Sequence, residues 1–555
     1  MAKWRGRGDD VSKGDILPKG HLKTEAPLAD CHANAAQLSY DGYTVPLSGS
    51  QSSNARNVKM TTVDQATETA RRLHGELAAM RKQIANEAEA TLENWTPAIN
   101  REEFLPSAEN LAHYLAFRKM DSRALQEGLS SLGLSSLGRC ESRVLPSIDS
   151  VLATLARIAG IKGQPYPEAS DMESGSDRLL AHQSAIFGSD PDGPATRIMA
   201  TLPTEAASEP ELMRKLIANG ADCMRINCAH DSAEIWEQMI EHIHTAASEL
   251  KRDVRIDMDL GGPKIRLEKV SKEAKNRLMR GDRFILTDAI SEKSGLAEAT
   301  LSYETLLDTL APGDDVWIND GKIGARVVEK DGRRVKLKIF NAREKGEKLK
   351  PRKGVNLPGV EITVPALTGE DIGNLDFVAR NADIIGFSFV QTPEDVRALH
   401  TEVQKRCQPG RLPALMLKIE TPLAVRNLPR LIVQAGGLMP VAVMIARGDL
   451  AVELGLERLS EMQEQILWIC EAAHVPVVWA TQVLDSMVHD GAPTRAETTD
   501  AAMSQRAECV MLNKGPHLAK AVAFLDRVLH RMDRHQSKKS PLLGPLKSWQ
   551  EPQLL

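Results

Sequence analysis

No stretch of this chain is apolar for the roughly 20 residues a bilayer-spanning helix needs. The start, Met1 to Asp10, carries Arg and Lys but no apolar core, so no secretory leader is expected. Cysteine is sparse: seven residues, an odd number, with no CxxC pair. Cys223 and Cys228 flank one apolar run and read as core thiols. That usage fits a reducing, cytoplasmic setting. Charge of one sign is also lacking. With 70 basic and 75 acidic residues the net charge is −5, which gives no reason to expect a nucleic-acid or membrane partner.

What is present is an ordinary globular composition, 42% hydrophobic and 26% charged, on a chain of 555 residues, long enough for several domains. Residues 1–60 are rich in Gly, Ser, Asn, Asp and Lys and read as a flexible tail. Residues 61–160 read as a helical region. Leu73, Leu77, Met80 and Ile84 have helical spacing, and Phe104 to Phe117, Ser122 to Leu132 and Ser142 to Ile158 follow suit. Ser107 and Asp121 are candidate N-caps. Residues 161–195, rich in Gly, Pro, Asp and Ser, read as a linker.

From Thr196 a strand–helix alternation begins. Apolar runs fall at 197–202, 223–227, 254–260, 384–390, 414–420, 441–446, 475–481 and 509–513, with helical patterns between most of them. Eight such units predict an α/β fold, a (β/α)8 TIM barrel over 196–263 and 357–535. A doubly wound open sheet is the structural alternative. More than 100 residues separate the third run from the fourth, and they hold short strand patterns at 283–286, 315–318, 325–328 and 335–339. Asp331-Gly332 is a hairpin signal. This predicts a small all-β lid domain, 264–356, inserted after strand 3, where barrel active sites are built. Residues 536–555 read as a C-terminal tail.

The chemistry concentrates at two strand ends. Leu417-Lys418-Ile419-Glu420 ends one apolar run, and Ala446-Arg447-Gly448-Asp449-Leu450 ends the next. Lys418 and Glu420 are two apart, so on a strand they share a side. Two carboxylates and an ammonium there suggest a divalent-metal site with a cationic partner.

Over about 196–530 the sequence resembles the pyruvate kinase family, through motifs that come in family order. They are Met224-Arg225-Ile226-Asn227-Cys228-Ala229-His230, Met258-Asp259-Leu260-Gly261-Gly262-Pro263-Lys264-Ile265-Arg266, Lys353 to Gly359, Ser388-Phe389-Val390, the two strand ends above, Ala480-Thr481-Gln482 and Pro493 to Glu497. The resemblance implies phosphoryl transfer from phosphoenolpyruvate to ADP, giving pyruvate and ATP, and a homo-oligomer. It implies Glu420 and Asp449 as ligands of Mg²⁺ or Mn²⁺. It implies Lys418, Thr481 and Arg225 as catalytic, with Lys418 beside the transferring phosphoryl group and Thr481 near the substrate methylene. Arg225, Arg266, Asn227, Gly448, Asp449 and Thr481 would bind substrate or phosphate. An inert relative has no reason to keep that charge cluster, yet a non-catalytic regulatory protein remains the alternative of a different class.

Departures from the family pattern shape further expectations. Relatives bind K⁺ at positions matching Asn227, Ala229, Asp259 and Leu260, and Ala229 lacks the serine hydroxyl. Lys264 stands where Glu is usual. K⁺ independence is therefore expected, with Asn227, Asp259 and Lys264 forming the monovalent-cation site or its replacement. The family's acidic, hydroxyl-bearing loop after strand 8 is replaced by Asn513-Lys514-Gly515-Pro516-His517, which admits a different phosphoryl acceptor. After the last barrel helix, about Leu518 to Met532, a short tail is expected in place of the family's C-terminal regulatory domain.

Overall fold

The computed structural model describes residues 63–542, apart from 191–192, 292–293, 361–363 and 409. The expectations for 1–60 and for the end of the tail lie outside the described residues.

Eight parallel strands close into a barrel. They are β1 (Arg197–Thr201), β2 (Cys223–Asn227), β3 (Arg255–Asp259), β4 (Ile384–Phe387), β5 (Ala414–Ile419), β6 (Val441–Ala446), β7 (Val477–Ala480) and β8 (Cys509–Leu512). Each pairs with the next, and β8 pairs with β1. The strands are buried on both faces, which is why they read as continuous apolar runs and not as alternation. A helix follows every strand. Two of these, Gly369–Asn381 and Pro422–Gly436, were not marked by the sequence pattern, and the second carries Pro429 inside it. The inserted domain is a seven-stranded sheet with its own buried core, including Phe284, Leu286, Val316, Val335 and Leu337. Its chain leaves after β3 and returns through the bridge between Arg266 and Gly354.

The helical region comprises α1 (Val63–Trp95), α2 (Leu105–Arg118), α3 (Arg123–Ser131) and α4 (Val144–Ala159), and its apolar faces join the core of the barrel's outer layer. The stretch expected as a linker holds a fifth helix, α5 (Ala169–Phe187). Its small and polar residues hid an apolar end: Ile186 and Phe187 are buried among Met199, Cys223, Met416 and Met511, which line the barrel interior. Gln183 donates to the carbonyls of Ala195 and Glu508, just before β1 and β8. Thus α5 closes the N-terminal mouth of the barrel.

Docking of the helical region uses polar contacts as well. Ser107, expected as an N-cap, lies inside α2, and its Oγ is 2.9 Å from His474 Nδ1. His474 Nε2 is 2.9 Å from the Ser142 carbonyl. Asn110 donates to the Ala472 carbonyl, and the backbone N–H groups of Asn100 and Arg101 donate to the Gly437 carbonyl. A Cβ on Gly437 would lie 2.3 Å from the Ala98 carbonyl oxygen, so only glycine permits that approach. The expected tail begins with a short hairpin, Gln536–Ser537 against Ser540–Pro541. Lys538 pairs there with Glu508, and Lys539 with Glu141 of the helical region.

Candidate active site

The strands deliver their charged residues to the C-terminal mouth. A cavity of about 1020 Å³ opens there, lined by Arg225, Asn227, Asp259, Lys264, Arg266, Lys418, Glu420, Gly448, Asp449 and Thr481 among others. Every site residue expected from sequence lies on its wall.

Arg225 on β2 and Lys418 on β5 both donate to Asp259 Oδ2, Lys418 at 3.0 Å. Lys418 also donates to Ser388 Oγ at 2.6 Å and lies 3.5 Å from Glu420. Ser388 Oγ in turn donates a hydrogen bond to the Leu260 carbonyl. Burial works against charge on Arg225 and Lys418, but Asp259 outweighs it, helped by Asp257 and Glu420 respectively. Both pKa values are raised and both groups stay cationic. Burial likewise opposes charge on Asp259, and the two cations overcome it and hold the carboxyl low. Asp257, one layer deeper, has no hydrogen-bond partner on either oxygen. Burial, with Asp259 beside it, pushes its pKa well up, against the pull of Arg225 and Lys418, and Arg225 Nε lies 3.9 Å from its Oδ2.

The two expected metal ligands differ in setting. Glu420 is buried, and its Oε2 accepts from the Phe389 N–H at 2.6 Å. Burial raises its pKa, Lys418 opposes that, and Asp449 adds to it. Asp449 lies in the first turn of the helix Arg447–Leu454. Its two oxygens accept from Lys264 Nζ, each at 3.0 Å, and Asn356 donates to it at 3.4 Å. Asn356 also donates to Glu453, whose carboxyl burial pushes up to about 7. Among the described residues no three His, Cys, Asp or Glu side chains converge as a complete metal cage. Two hard oxygen donors in a cleft that otherwise repel each other nevertheless fit Mg²⁺ or Mn²⁺, which typically take one or two carboxylates plus substrate oxygens.

One expected grouping does not form. Lys264 was placed with Asn227 and Asp259, but its ammonium bridges Asp449. Its stem passes beside Gly354 on the lid's return strand, where a Cβ would sit 3.0 Å from Lys264 Cε. Asn227 caps its own turn, accepting from the Ala229 N–H. Asp259 is already matched by Arg225 and Lys418. Arg266 lines the cavity while donating to the Arg352 carbonyl.

Several residues were not singled out from sequence. Ser388 was read only as part of a motif. Asp371 caps its own helix with Thr368 and accepts from the Gly261 N–H. Arg447 and Asp500 form a bidentate pair beside Thr481. Asp500 sits mid-helix and carries no local sign of this partner.

A closed barrel with a cation–carboxylate cluster at its C-terminal mouth and a lid inserted after β3 defines a barrel enzyme acting on an anionic substrate. The family model described as "Pyruvate kinase, barrel domain" matches residues 194–518. A pyruvate kinase of Methylorubrum extorquens is 36% identical over 346 residues, 61% of this chain and 69% of that protein. Pyruvate kinase 1 of Trypanosoma brucei brucei is 33% identical over 344 residues, 60% of this chain and 66% of the relative. A pyruvate kinase of Corynebacterium efficiens is 33% identical over 343 residues, 61% and 69% of the two chains. The chain belongs to the pyruvate kinase family and is a phosphoenolpyruvate-dependent transferase of that type. No described helix is long and apolar enough to cross a membrane.

Proposed function

We propose that the chain transfers the phosphoryl group of phosphoenolpyruvate to ADP, giving pyruvate and ATP, with Mg²⁺ or Mn²⁺ and without K⁺. The observation that carries this reading is the convergence of Lys418, Arg225, Glu420 and Asp449 on one cavity. In the reaction the bond from phosphorus to the enol oxygen breaks, a bond to the terminal ADP oxygen forms, and the enolate takes a proton on its methylene carbon. Phosphoryl transfer needs positioning and charge neutralisation more than covalent help. Arg225 offers a guanidinium to the phosphate, and Lys418 a point charge to the enolate oxygen. The first-turn N–H groups of the helix Arg447–Leu454 have no acceptor in their own helix, so Gly448 and Asp449 can hold the substrate carboxylate. Thr481 stands by for the proton. Held by Glu420 and Asp449, the divalent ion would supply positive charge to the phosphoryl and enolate oxygens. Arg225 and Lys418 already neutralise Asp259, and Lys264 adds a fixed ammonium at Asp449. Both support turnover without a bound monovalent cation.

The test is pyruvate release from phosphoenolpyruvate and ADP in tetramethylammonium buffer, with and without KCl. Turnover that is unaffected by KCl is expected. A large K⁺ requirement would sink the monovalent-ion part, and no release with any nucleoside diphosphate would sink the acceptor assignment. A second reading, a different acceptor, has one specific support. Burial lowers the pKa of His230, and Lys514 and Arg266 add to that against Asp231, so Lys514 of the loop that departs from the family acts on a residue of the strand-2 motif. Release with another anionic acceptor alone would favour it.

A further inference from the structure

Thr481, Gln482 and Leu484 follow β7 with φ of 72°, 58° and 51°. Left-handed backbone strains a non-glycine residue, most of all a β-branched one such as Thr481. Such a turn persists only where its surroundings over-determine it. Here a single side chain grips it. Arg447 donates from Nε to the Ala480 carbonyl and from Nη2 to the Thr481 carbonyl, both at 2.7 Å. The same guanidinium binds Asp500 with two bonds, at 2.6 and 2.8 Å. It lies 4.8 Å over the Trp479 ring, whose Nε1 donates to Asp500 Oδ1 at 3.2 Å. Rigid, planar and bidentate contacts of this kind suit arginine and not lysine. The neighbouring residue completes the grip: a Cβ on Gly448 would lie 2.9 Å from Thr481 Cγ2. The Thr481 methyl thus rests on Gly448 while its carbonyl is held by Arg447.

We propose that Arg447, braced by Asp500 and Trp479, is the positioning residue of the proton-transfer step. It holds Thr481 in a strained turn so that this side chain stays on the cavity wall. The inference rests on the assignment of Thr481 to that step. In the reverse sense, a C–H bond of the pyruvate methyl breaks, the proton passes to solvent, and a solvent proton returns to carbon.

The experiment is exchange of pyruvate methyl protons in D₂O, followed by NMR, on the full chain with Mg²⁺. It is run alongside Mn²⁺ binding by EPR and steady-state kinetics. Thr481→Ala and Arg447→Met are each expected to slow exchange by about 10²-fold, the scale of a misplaced reacting group. Mn²⁺ affinity should not change in either variant, and the KM for phosphoenolpyruvate should not change in Arg447→Met. The double variant should be no slower than the worse single. Arg447→Lys should fail to rescue, and Asp500→Asn should slow exchange in the same way. Asp500→Asn also decides the matter if Arg447→Met does not fold. Normal exchange in Thr481→Ala would remove the assignment on which the inference rests. Slow exchange in Thr481→Ala with normal exchange in Arg447→Met and Asp500→Asn would overturn the clamp itself. So would multiplicative losses in the double variant, or a loss seen as weaker Mn²⁺ binding.

Discussion

Lys418 carries its ammonium into a setting where burial favours the neutral amine, and three oxygens keep it charged: Asp259, Ser388 and Glu420. In Lys418→Met the chain length is nearly kept and the charge is lost. Arg225 still neutralises Asp259, so the fold has a partner for its most buried charge. The loss should fall on kcat, by about 3–4 kcal/mol of transition-state stabilisation, as for removal of one electrostatic group. Steady-state kinetics with phosphoenolpyruvate and ADP reads this directly, and an unchanged kcat would take Lys418 out of the reaction. At the same scale, sequence placed Lys418 and Glu420 on one side of a strand from their spacing alone; β5 ends at Ile419, and Glu420, just past it, lies 3.5 Å from Lys418. It did not place Lys264, because its destination depends on how the lid's two connecting strands cross the mouth.

At the scale of elements, α5 was hidden by its composition. A helix that offers only its last turn to an enclosed site needs no long apolar stripe, so Ala169 to Ala185 gives little periodic signal. Phe187 is fully buried in the barrel interior. Phe187→Ala should lower unfolding free energy by about 3–5 kcal/mol, measured by denaturant titration. A loss near zero would mean that α5 only rests against the barrel. The junction around His474 makes a second prediction. Burial, opposed by the Ser142 carbonyl, lowers its pKa from 6.5 to about 4. His474 is therefore neutral in the fold, and its ring can accept from Ser107 and donate to Ser142. Arg178 and His182 face it and add to the lowering. Between pH 4 and 6.5 the unfolded chain binds the extra proton, so stability rises with pH across that window. The contribution is complete above pH 6.5 and is lost as pH falls toward 4, up to roughly 3 kcal/mol. Unfolding titrations across that range should show this slope in the native chain and a flatter one in His474→Gln. Equal slopes would show that another group carries the acid sensitivity.

On the scale of the whole molecule, three layers of organisation meet. The barrel aims charge at its C-terminal mouth, the inserted sheet adds Trp317, Asp320 and Gly321 to the cavity wall there, α5 closes the far side, and the helical region packs on the outer layer. The lid is tied to the site through Asn356 and Lys264, both on Asp449. The helical region is tied on through Ser107, Asn110, Gly437 and the Lys539–Glu141 pair. Family membership rests on residues 194–518, which leaves the helical region outside the matched segment.

Sequence alone determined the eight strands, the break after the third, and the charged residues at the strand ends. Each of these is written locally: a buried parallel strand is a short apolar run, and its functional residue is the polar one that ends it. Tertiary structure alone decided which charge faces which. Arg225 and Lys418 share Asp259 because β2, β3 and β5 converge on the barrel axis. Lys264 reaches Asp449 across 185 residues of chain. Asp500 finds Arg447 because the helix after β7 folds back beside β6. Pairings of this kind depend on closure of the barrel, and no period or motif in the sequence encodes the distance between two strands that are not neighbours in the chain.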